Sequence, residues 1–294
     1  MRKLLDFARK KAFKHEYTSS QVKFDEKLGA FFIYMQSTPR PCFTLELLDD
    51  LKHFLIEAEE KIVTDLKQDG HSNLKFIVVS SAFPGTFNLG GDLNLFAELI
   101  ERQDREKLLE YAVNCITVGH KASMSLDLPL TTITLIQGNA MGGGFEAALA
   151  CNVIIAERGY MMGFPEVMFN LFPGMGAYTY LAQRINPVLA ERMILSGKMY
   201  HAEELYEMGV IDYLAEPGEG EDVLKEYIHN EKKFGHARSL IRHIRKQYNP
   251  ASYKQLLDIT NLWVESALQL TQKELTTIKR LVAAQDRKMK KIAA

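Results

Sequence analysis

The fold of this chain is decided by the stretch Gln137-Gly138-Asn139-Ala140-Met141-Gly142-Gly143-Gly144-Phe145-Glu146. A run of β-branched and apolar residues, 131–136, precedes it, and the helix-forming run 147–150 follows it. This order predicts a strand, a tight glycine turn and the start of a helix. Free backbone amides and the positive end of the helix dipole meet at such a turn, so it can bind an anion or a developing oxyanion.

A second glycine turn has the same design. Residues 87–92, Phe-Asn-Leu-Gly-Gly-Asp, come after the apolar strand 76–80 and open another helical pattern. Two such turns can each supply one N–H group to a single carbonyl oxygen. Glu146 lies one turn into its helix and Glu166 follows a Gly-Phe-Pro turn, so two carboxyl groups can converge beside that carbonyl.

Strands and helices alternate through the first two thirds of the chain, which predicts a layered α/β fold. Residues 17–35 read as a hairpin, and Thr44 caps a helix to about residue 67. Helices continue the chain at 221–247 and from 252 to about 290. We therefore predict three parts: a basic arm at 1–15, a catalytic core at 16–220 and a helical extension at 221–294.

Composition is that of a compact enzyme without a nucleic-acid role. Lys and Arg number 36 against 37 Asp and Glu, and the formal charge of −1 gives no general affinity for nucleic acid. Three dispersed cysteines and eight histidines show no ligand spacing, which argues against a metal site. The sequence lacks a membrane-spanning run, a signal sequence and a serine nucleophile elbow, so we expect a cytoplasmic protein that is no serine hydrolase.

The motifs resemble those of the crotonase (enoyl-CoA hydratase/isomerase) superfamily over roughly residues 20–285. The resemblance is carried by 138–146, by Phe-Pro-Glu at 164–166, and by 195–212. Residues 87–93, 164–167 and 172–178 look most like bacterial diffusible signal factor synthases. The resemblance implies a spiral of ββα units with a helical C-terminal extension, assembled as a homotrimer or a dimer of trimers.

Residue roles follow from the same resemblance. It implies an oxyanion hole formed by the Gly91 and Gly143 amides and an acid/base pair formed by Glu146 and Glu166. As alternatives, Glu146 is only a favourable helix N-terminal carboxylate and Glu166 an ordinary surface residue. The implied acyl-binding residues are Trp263, Leu281, Leu89, Met141, Gly142 and Met175.

Trp263 has two interpretations. The only tryptophan of the chain lies in an amphipathic helical pattern, so an ordinary core position is one of them. Its match to the acyl-pocket tryptophan of the synthases favours the other. Leu281 lies eighteen residues on, which is five helical turns, so both side chains share a face if the helix is continuous.

The implied reaction is dehydration of a 3-hydroxyacyl thioester followed by hydrolysis, which releases a cis-2-unsaturated fatty acid signal. No separate cofactor is expected, because the pantetheine arm arrives with the substrate. Two alternatives stay open: an enoyl-CoA hydratase of fatty-acid oxidation, and a crotonase-fold binding protein that regulates a partner such as the receiver domain of a sensor kinase.

Departures from the family pattern bear on the carrier. Leu-Gly-Gly-Asp stands at 89–92 where many CoA-dependent relatives have Ala-Gly-Ala-Asp, and Phe87 and Asn88 are expected to be bulky beside a docked adenine. These departures argue against CoA, and the resemblance to the signal factor synthases implies acyl carrier protein as the carrier instead. Its docking surface is predicted to include the cations Arg238, Arg242, Arg245 and Lys246.

Overall fold

The structure, a computed structural model, describes residues 14–293. The predicted basic arm at 1–15 therefore lies almost entirely outside the described residues. Ten strands are present: β1 Ser20–Asp25, β2 Ala30–Met35, β3 Phe76–Ser81, β4 Gly85–Asn88, β5 Thr131–Ile136, β6 Gly138–Met141, β7 Val153–Glu157, β8 Met161–Gly163, β9 Met199–His201 and β10 Tyr213–Ala215 in this part of the chain.

Ten α-helices connect and cover these strands between residues 14 and 293. They are α1 Leu45–Asp69, α2 Leu93–Glu101, α3 Arg105–Ser123, α4 Gly143–Ala150, α5 Ala177–Ala182, α6 Pro187–Ser196, α7 Ala202–Glu207, α8 Gly220–Tyr248, α9 Tyr253–Leu268 and α10 Gln272–Ala293. Short 3-10 helices occur at Ser125–Asp127 and Pro165–Phe169.

The strands form two sheets. The larger sheet has the order β1-β2-β3-β5-β7-β10, and only the β1–β2 hairpin is antiparallel. The smaller has the order β4-β6-β8-β9, with β9 antiparallel. Two segments, β3-β4-α2 and β5-β6-α4, repeat one pattern: a strand of the large sheet, a strand of the small sheet and a helix. The predicted α/β class with repeating ββα units is therefore confirmed.

Both faces of the large sheet are buried, and the alternation of side chains along each strand divides them. Ile77 and Ile154 belong to the main core, which α1, α3 and α9 also build. Their neighbours Val78 and Ile155 face the other way, into a second core under the first half of α8. Parallel strands buried on both faces explain why these segments read as continuous apolar runs.

Most predicted boundaries agree with the structure. Thr44 caps α1 by accepting from the amide of Leu47, and Asn186 with Pro187 begins α6, which ends at Gly197. Two predictions were incomplete. The strand 131–136 does not run directly into the glycines but is followed by β6 in the other sheet, and the helix predicted from 252 to 290 is broken at 269–271.

The break separates Trp263, on α9, from Leu281, on α10. The continuous helix assumed for this pair is therefore wrong. The helical C-terminal region itself is present, and residues of α9 and α10 such as Val264 and Ile278 belong to the main core. A division of the chain at residue 220 stays a prediction. No helix within residues 14–293 has the length and apolarity to cross a membrane.

Arg40 ties α10 to the first glycine turn. Its side chain is 5% exposed, and its guanidinium contacts Asp286 of α10 at 2.9 Å and Asp92 at 3.3 Å. Asp92 also caps α2 by accepting from the amides of Asn94 and Leu95. One buried cation thus joins the C-terminal helix to the residue after Gly91.

We expect Arg40→Leu to lower the free energy of unfolding by about 1–3 kcal/mol, because two carboxylates lose their buried partner. Urea denaturation measures the loss, and amide hydrogen exchange should increase in α10. Lys254→Leu is the control, since the Lys254–Asp258 pair is well exposed and such pairs contribute about 0–1 kcal/mol. Equal stability of the two variants would contradict the anchoring role of Arg40.

Candidate active site

The two glycine turns lie directly against each other. The first is fixed by the amide of Phe43, which donates to the carbonyl of Gly90 at 2.8 Å, and by the amide of Gly90, which donates to Oδ1 of Asn88 at 2.8 Å. In the second, the amide of Gly142 donates to the carbonyl of Gly163 at 2.9 Å. These hydrogen bonds, one of them to a side-chain oxygen, hold both turns and leave the amide of the next residue in each turn unused.

Those unused amides belong to Gly91 and Gly143. A Cβ atom placed on Gly143 would lie 3.3 Å from the amide nitrogen of Gly91, so the two groups are close neighbours. Neither amide donates a hydrogen bond to another group of residues 14–293. Because Gly143 is the first residue of α4, its N–H is one that a helix cannot pair internally.

Two positions of the turns require glycine because of their backbone conformation as well as for lack of space. Gly90 has φ of 95° and Gly142 has φ of 51°, in the region that residues with a side chain seldom adopt. A Cβ on Gly142 would also overlap Oε1 of Glu166. The carboxyl group of Glu166 is therefore in contact with the second glycine turn.

Glu146 is held in a fixed orientation within α4. Its side chain is 3% exposed, and its Oε1 accepts hydrogen bonds from the amides of Met175 at 2.8 Å and Ala177 at 2.9 Å. The turn that supplies these amides is anchored in turn by α9, because the Thr260 hydroxyl donates to the carbonyl of Gly174 at 3.1 Å. The C-terminal helices thus help to orient this glutamate.

Glu166 is held differently, in the 3-10 helix that follows β8. Its Oε2 is buried and has no hydrogen-bond partner among the described residues. A buried oxygen without a partner is costly, and in native proteins it calls for an explanation such as a bound ligand or a catalytic role.

Burial raises the pKa of both carboxyl groups above the ordinary glutamate value. For Glu146 the two backbone amides oppose this rise, whereas for Glu166 the nearby charge of Glu146 adds to it. Two interacting carboxyl groups lose their protons in two separate steps. The pair can thus hold one proton, with one group ionised and the other neutral, which is the state that acid/base chemistry needs.

One cavity of about 340 Å³ contains all the predicted site residues. It is lined by both glutamates, by Gly91 and Gly143, and by all six residues expected to bind the acyl chain: Leu89, Met141, Gly142, Met175, Trp263 and Leu281. The remaining lining is almost entirely apolar. The residues predicted from the sequence thus line a single cavity, and the cavity walls also include residues of α1 and α3 that the sequence did not indicate.

Trp263 is a core residue that also lines the cavity. It is 2% exposed and packs edge-on against Phe96, with ring centroids 5.1 Å apart, as a core residue does. It also lines the cavity beside Gly174. Leu281 lines the same cavity from α10. The two side chains therefore meet because α9 and α10 pack around one cavity, and they do not share the face of a single helix.

Sequence reasoning missed the residues that support the first glycine turn. Tyr111 of α3 is fully buried, accepts from the amide of Asp92 at 3.2 Å and donates to the carbonyl of Phe43. Asn88 fixes Gly90, as described above. Only the Asn-x-Gly spacing at 88–90 is a local signal, because Asn side chains bond backbone amides two residues on; Tyr111 has no such signal.

The structure bears on two predictions about the carrier. Phe87 and Asn88 are each 1% exposed, so neither can crowd an adenine at the surface. The four cations predicted to dock a carrier protein are engaged within the chain. Arg238 and Arg242 pair with the buried Glu231, and Arg245 and Lys246 donate to the backbone carbonyls of Asn152 and Met124, respectively.

Three possible metal ligands meet away from the cavity, although the sequence indicated no such cluster. Ligand atoms of His15, Asp49 and His53 lie within 4.8 Å of one another. The Nε2 atom of His15, however, is hydrogen-bonded to Oδ1 of Asp50 at 2.9 Å, and the two imidazole rings stack face to face. These contacts account for the cluster without an ion.

Comparison with known proteins gives one family and one fold. The family model described as enoyl-CoA hydratase/isomerase matches residues 46–289. An enoyl-CoA hydratase structure from Bacillus halodurans has 21% identity and a TM-score of 0.73, and covers 90% of this chain and 100% of its own. The human mitochondrial delta3-delta2-enoyl-CoA isomerase has 17% identity and a TM-score of 0.71, covering 92% and 99%.

Pseudomonas aeruginosa DspI is also similar, with 24% identity, a TM-score of 0.60 and coverage of 79% of this chain and 81% of its own. At these identities the structural matches establish the fold, whereas the family model spans most of the chain, including both glycine turns and both glutamates. The chain belongs to the enoyl-CoA hydratase/isomerase family.

Proposed function

We propose that this protein dehydrates a 3-hydroxyacyl thioester and then hydrolyses the thioester, releasing a cis-2-unsaturated fatty acid that acts as a quorum-sensing signal of the diffusible signal factor type. The observation that carries the proposal is the meeting of two glutamates with raised pKa and two unpaired amides in one apolar cavity. The resemblance at residues 87–93, 164–167 and 172–178 supplies the specific product.

Dehydration uses the amides and the carboxyl pair together. The thioester carbonyl accepts from the Gly91 and Gly143 amides, which stabilises the enolate formed when the ionised glutamate takes the C2 proton. The neutral glutamate gives its proton to the C3 hydroxyl, which departs as water. One such amide typically contributes about 3–4 kcal/mol to transition-state stabilisation.

Hydrolysis uses the same groups in a different order. A glutamate takes a proton from water, the resulting hydroxide adds to C1, and the tetrahedral oxyanion is held by the two amides. The intermediate then expels the thiolate, which receives the proton, so the products are the free acid and the carrier thiol. No metal or further cofactor takes part in these steps.

The cavity volume fits a medium-chain acyl group. A cavity of about 150 Å³ binds benzene, with six carbons, so the 340 Å³ observed here corresponds to roughly a dozen carbons. The lining offers few polar atoms apart from the glutamates and the turn amides, as an unmodified hydrocarbon chain requires.

The proposed carrier is acyl carrier protein, and its support is the departure from the family pattern at Leu89–Asp92. An enoyl-CoA hydratase remains the second candidate, and a specific observation favours it: Phe87 and Asn88 are buried, so their bulk is no argument against CoA. The two functions differ in carrier and in product.

The carriers are distinguished by a direct comparison. We expect free-acid release from 3-hydroxyacyl chains on acyl carrier protein to exceed release from the same chains on CoA, and we expect a 2-unsaturated acid as the product. Mass spectrometry of both reactions measures the amount of acid released and identifies the product. Reversible hydration of enoyl-CoA without acid release would instead identify a hydratase.

Glu146→Gln and Glu166→Gln should each lower dehydration about 10²–10⁴-fold, because glutamine keeps the shape but cannot transfer a proton. The readout is product release from a 3-hydroxyacyl thioester and from the already dehydrated 2-enoyl thioester. Near wild-type dehydration by either variant would replace the paired mechanism with a single-glutamate one.

Glu157→Gln provides the matched control for these variants. Glu157 is also buried, but it lies outside the cavity, where it accepts from the side chain of Gln137 and the amide of Gly220. If Glu157→Gln lost activity to the same degree, the losses at 146 and 166 would reflect disturbed folding rather than lost proton transfer.

The raised pKa values also predict a pH dependence of stability. Unfolded glutamates titrate near pH 4.3, so above that pH the folded protein keeps protons that the unfolded chain has lost. The free energy of unfolding therefore falls as the pH rises, by roughly 1.4 kcal/mol per pH unit for each proton kept. Glu166→Gln should flatten this fall between about pH 5 and 8, as measured by urea denaturation.

Glu204→Gln is the control for that experiment. A hydrogen bond from Lys198 lowers the pKa of Glu204, so this group is ionised in both states over the range tested and its removal should leave the slope unchanged. Parallel stability curves for wild type and Glu166→Gln would contradict the raised pKa of Glu166.

A further inference from the structure

Part of the cavity wall is formed where α3, the end of α4 and α5 come together. Cys115, Val118, Gly119, Cys151 and Tyr180 form this part. Tyr180 lies about one helical turn beyond Ala177, whose amide binds Glu146, and Ala150 lies one turn beyond Glu146 itself. Both helices therefore lead away from the acid/base pair toward the same part of the cavity wall.

Gly119 is an unusual residue for its position. It lies in the interior of α3, where glycine is the least favourable residue after proline. Its backbone does not require glycine, because its φ is not positive. A Cβ atom there would lie 3.4 Å from the Tyr180 hydroxyl and 3.9 Å from Cβ of Ala150, which is ordinary contact. What alanine would remove is the open space in front of Tyr180.

Tyr180 forms the opposite side of that space. Its side chain is almost fully buried, and Gly176 leaves room for its ring, because a Cβ on Gly176 would overlap the ring. The hydroxyl has no hydrogen-bond partner among the described residues, although Ser123 is nearby and donates to the carbonyl of His120. The Tyr180 ring and hydroxyl thus line the cavity beside Gly119, with Ser123 as the polar side chain nearest to the hydroxyl.

We propose that Gly119 and Tyr180 form the end wall of the acyl site and set the longest chain that the enzyme accepts. The inference rests on the proposed function, in that the cavity receives an acyl chain whose C2 and C3 atoms lie between the glutamates. The methyl end of the chain then lies against the Tyr180 ring, in the space that the missing side chain of Gly119 leaves open.

The test uses three variants of the full chain. Gly119→Ala adds one methyl group to the end wall without a clash, and Tyr180→Phe removes one oxygen without breaking a hydrogen bond to the described residues. Gly235→Ala is the matched control. It makes the same replacement inside α8, where a Cβ meets nothing closer than 3.9 Å and no part of the cavity is near.

Two measurements test the end wall and the proposed reaction separately. Binding of saturated fatty acids of about 8 to 16 carbons, a range that brackets the capacity inferred from the volume, is followed by the fluorescence of Trp263, the only tryptophan, and by calorimetry. Acid release from 3-hydroxyacyl thioesters of the same lengths is measured in parallel.

For Gly119→Ala we expect the longest well-bound chain to shorten by about one carbon, with affinity for longer chains falling about four-fold per displaced carbon. Tyr180→Phe should shift the limit by about one carbon in the opposite direction, and Gly235→Ala should leave it unchanged. The thermal unfolding temperature of Gly119→Ala should be at least as high as that of the wild type, because alanine favours the helix.

A folded Gly119→Ala protein that binds the same longest chain as the wild type would overturn the end-wall proposal, whether or not thioesters are turned over. The same holds if wild type binds none of the fatty acids. If the binding limit shifts as expected while no thioester is consumed, the end wall stands and the proposed reaction fails.

Discussion

The structure depends on the close approach of two glycine turns that leave the amides of Gly91 and Gly143 unpaired side by side. Each turn joins a strand of the small sheet to a helix, so the approach requires the two parallel strands to lie next to each other. It also requires bare backbone where they touch: a Cβ on Gly144 would overlap the Asn88 carbonyl. Sheet order, turn conformation and glycine content thus serve one pair of N–H groups.

Two buried carboxyl groups complete the candidate site around that pair of amides. Glu146 is oriented by two amides at the start of α5, whereas Glu166 keeps a buried oxygen, without a partner among the described residues, against Gly142. Burying two carboxyl groups together is unfavourable for stability, since both are harder to ionise than in water. Their arrangement at one cavity therefore lowers stability, as is common where carboxyl groups are placed for a function, and it agrees with the proposed acid/base chemistry.

Local sequence signals predicted the parts of this site that depend on backbone chemistry. Glycine runs after β-branched strands indicated the turns, and their spacing to Glu146 and Glu166 indicated the pair. Features that arise from packing between distant segments were not predictable. Tyr111 and Arg40 reach the first turn from elsewhere in the chain, and the break at 269–271 put Trp263 and Leu281 on different helices. The prediction that Phe87 and Asn88 would crowd an adenine was wrong for the same reason, because burial depends on neighbours that the local sequence does not reveal.

The central claim is that one thioester carbonyl meets both amides while its C2 and C3 atoms lie between the two glutamates. A crystal structure with a non-hydrolysable 3-hydroxyacyl pantetheine amide measures this directly. We expect the carbonyl oxygen at about 2.7–3.1 Å from the amide nitrogens of Gly91 and Gly143, with one glutamate at C2 and the other at the C3 hydroxyl. A carbonyl bound elsewhere, or a C3 hydroxyl that contacts neither carboxyl group, would contradict the account.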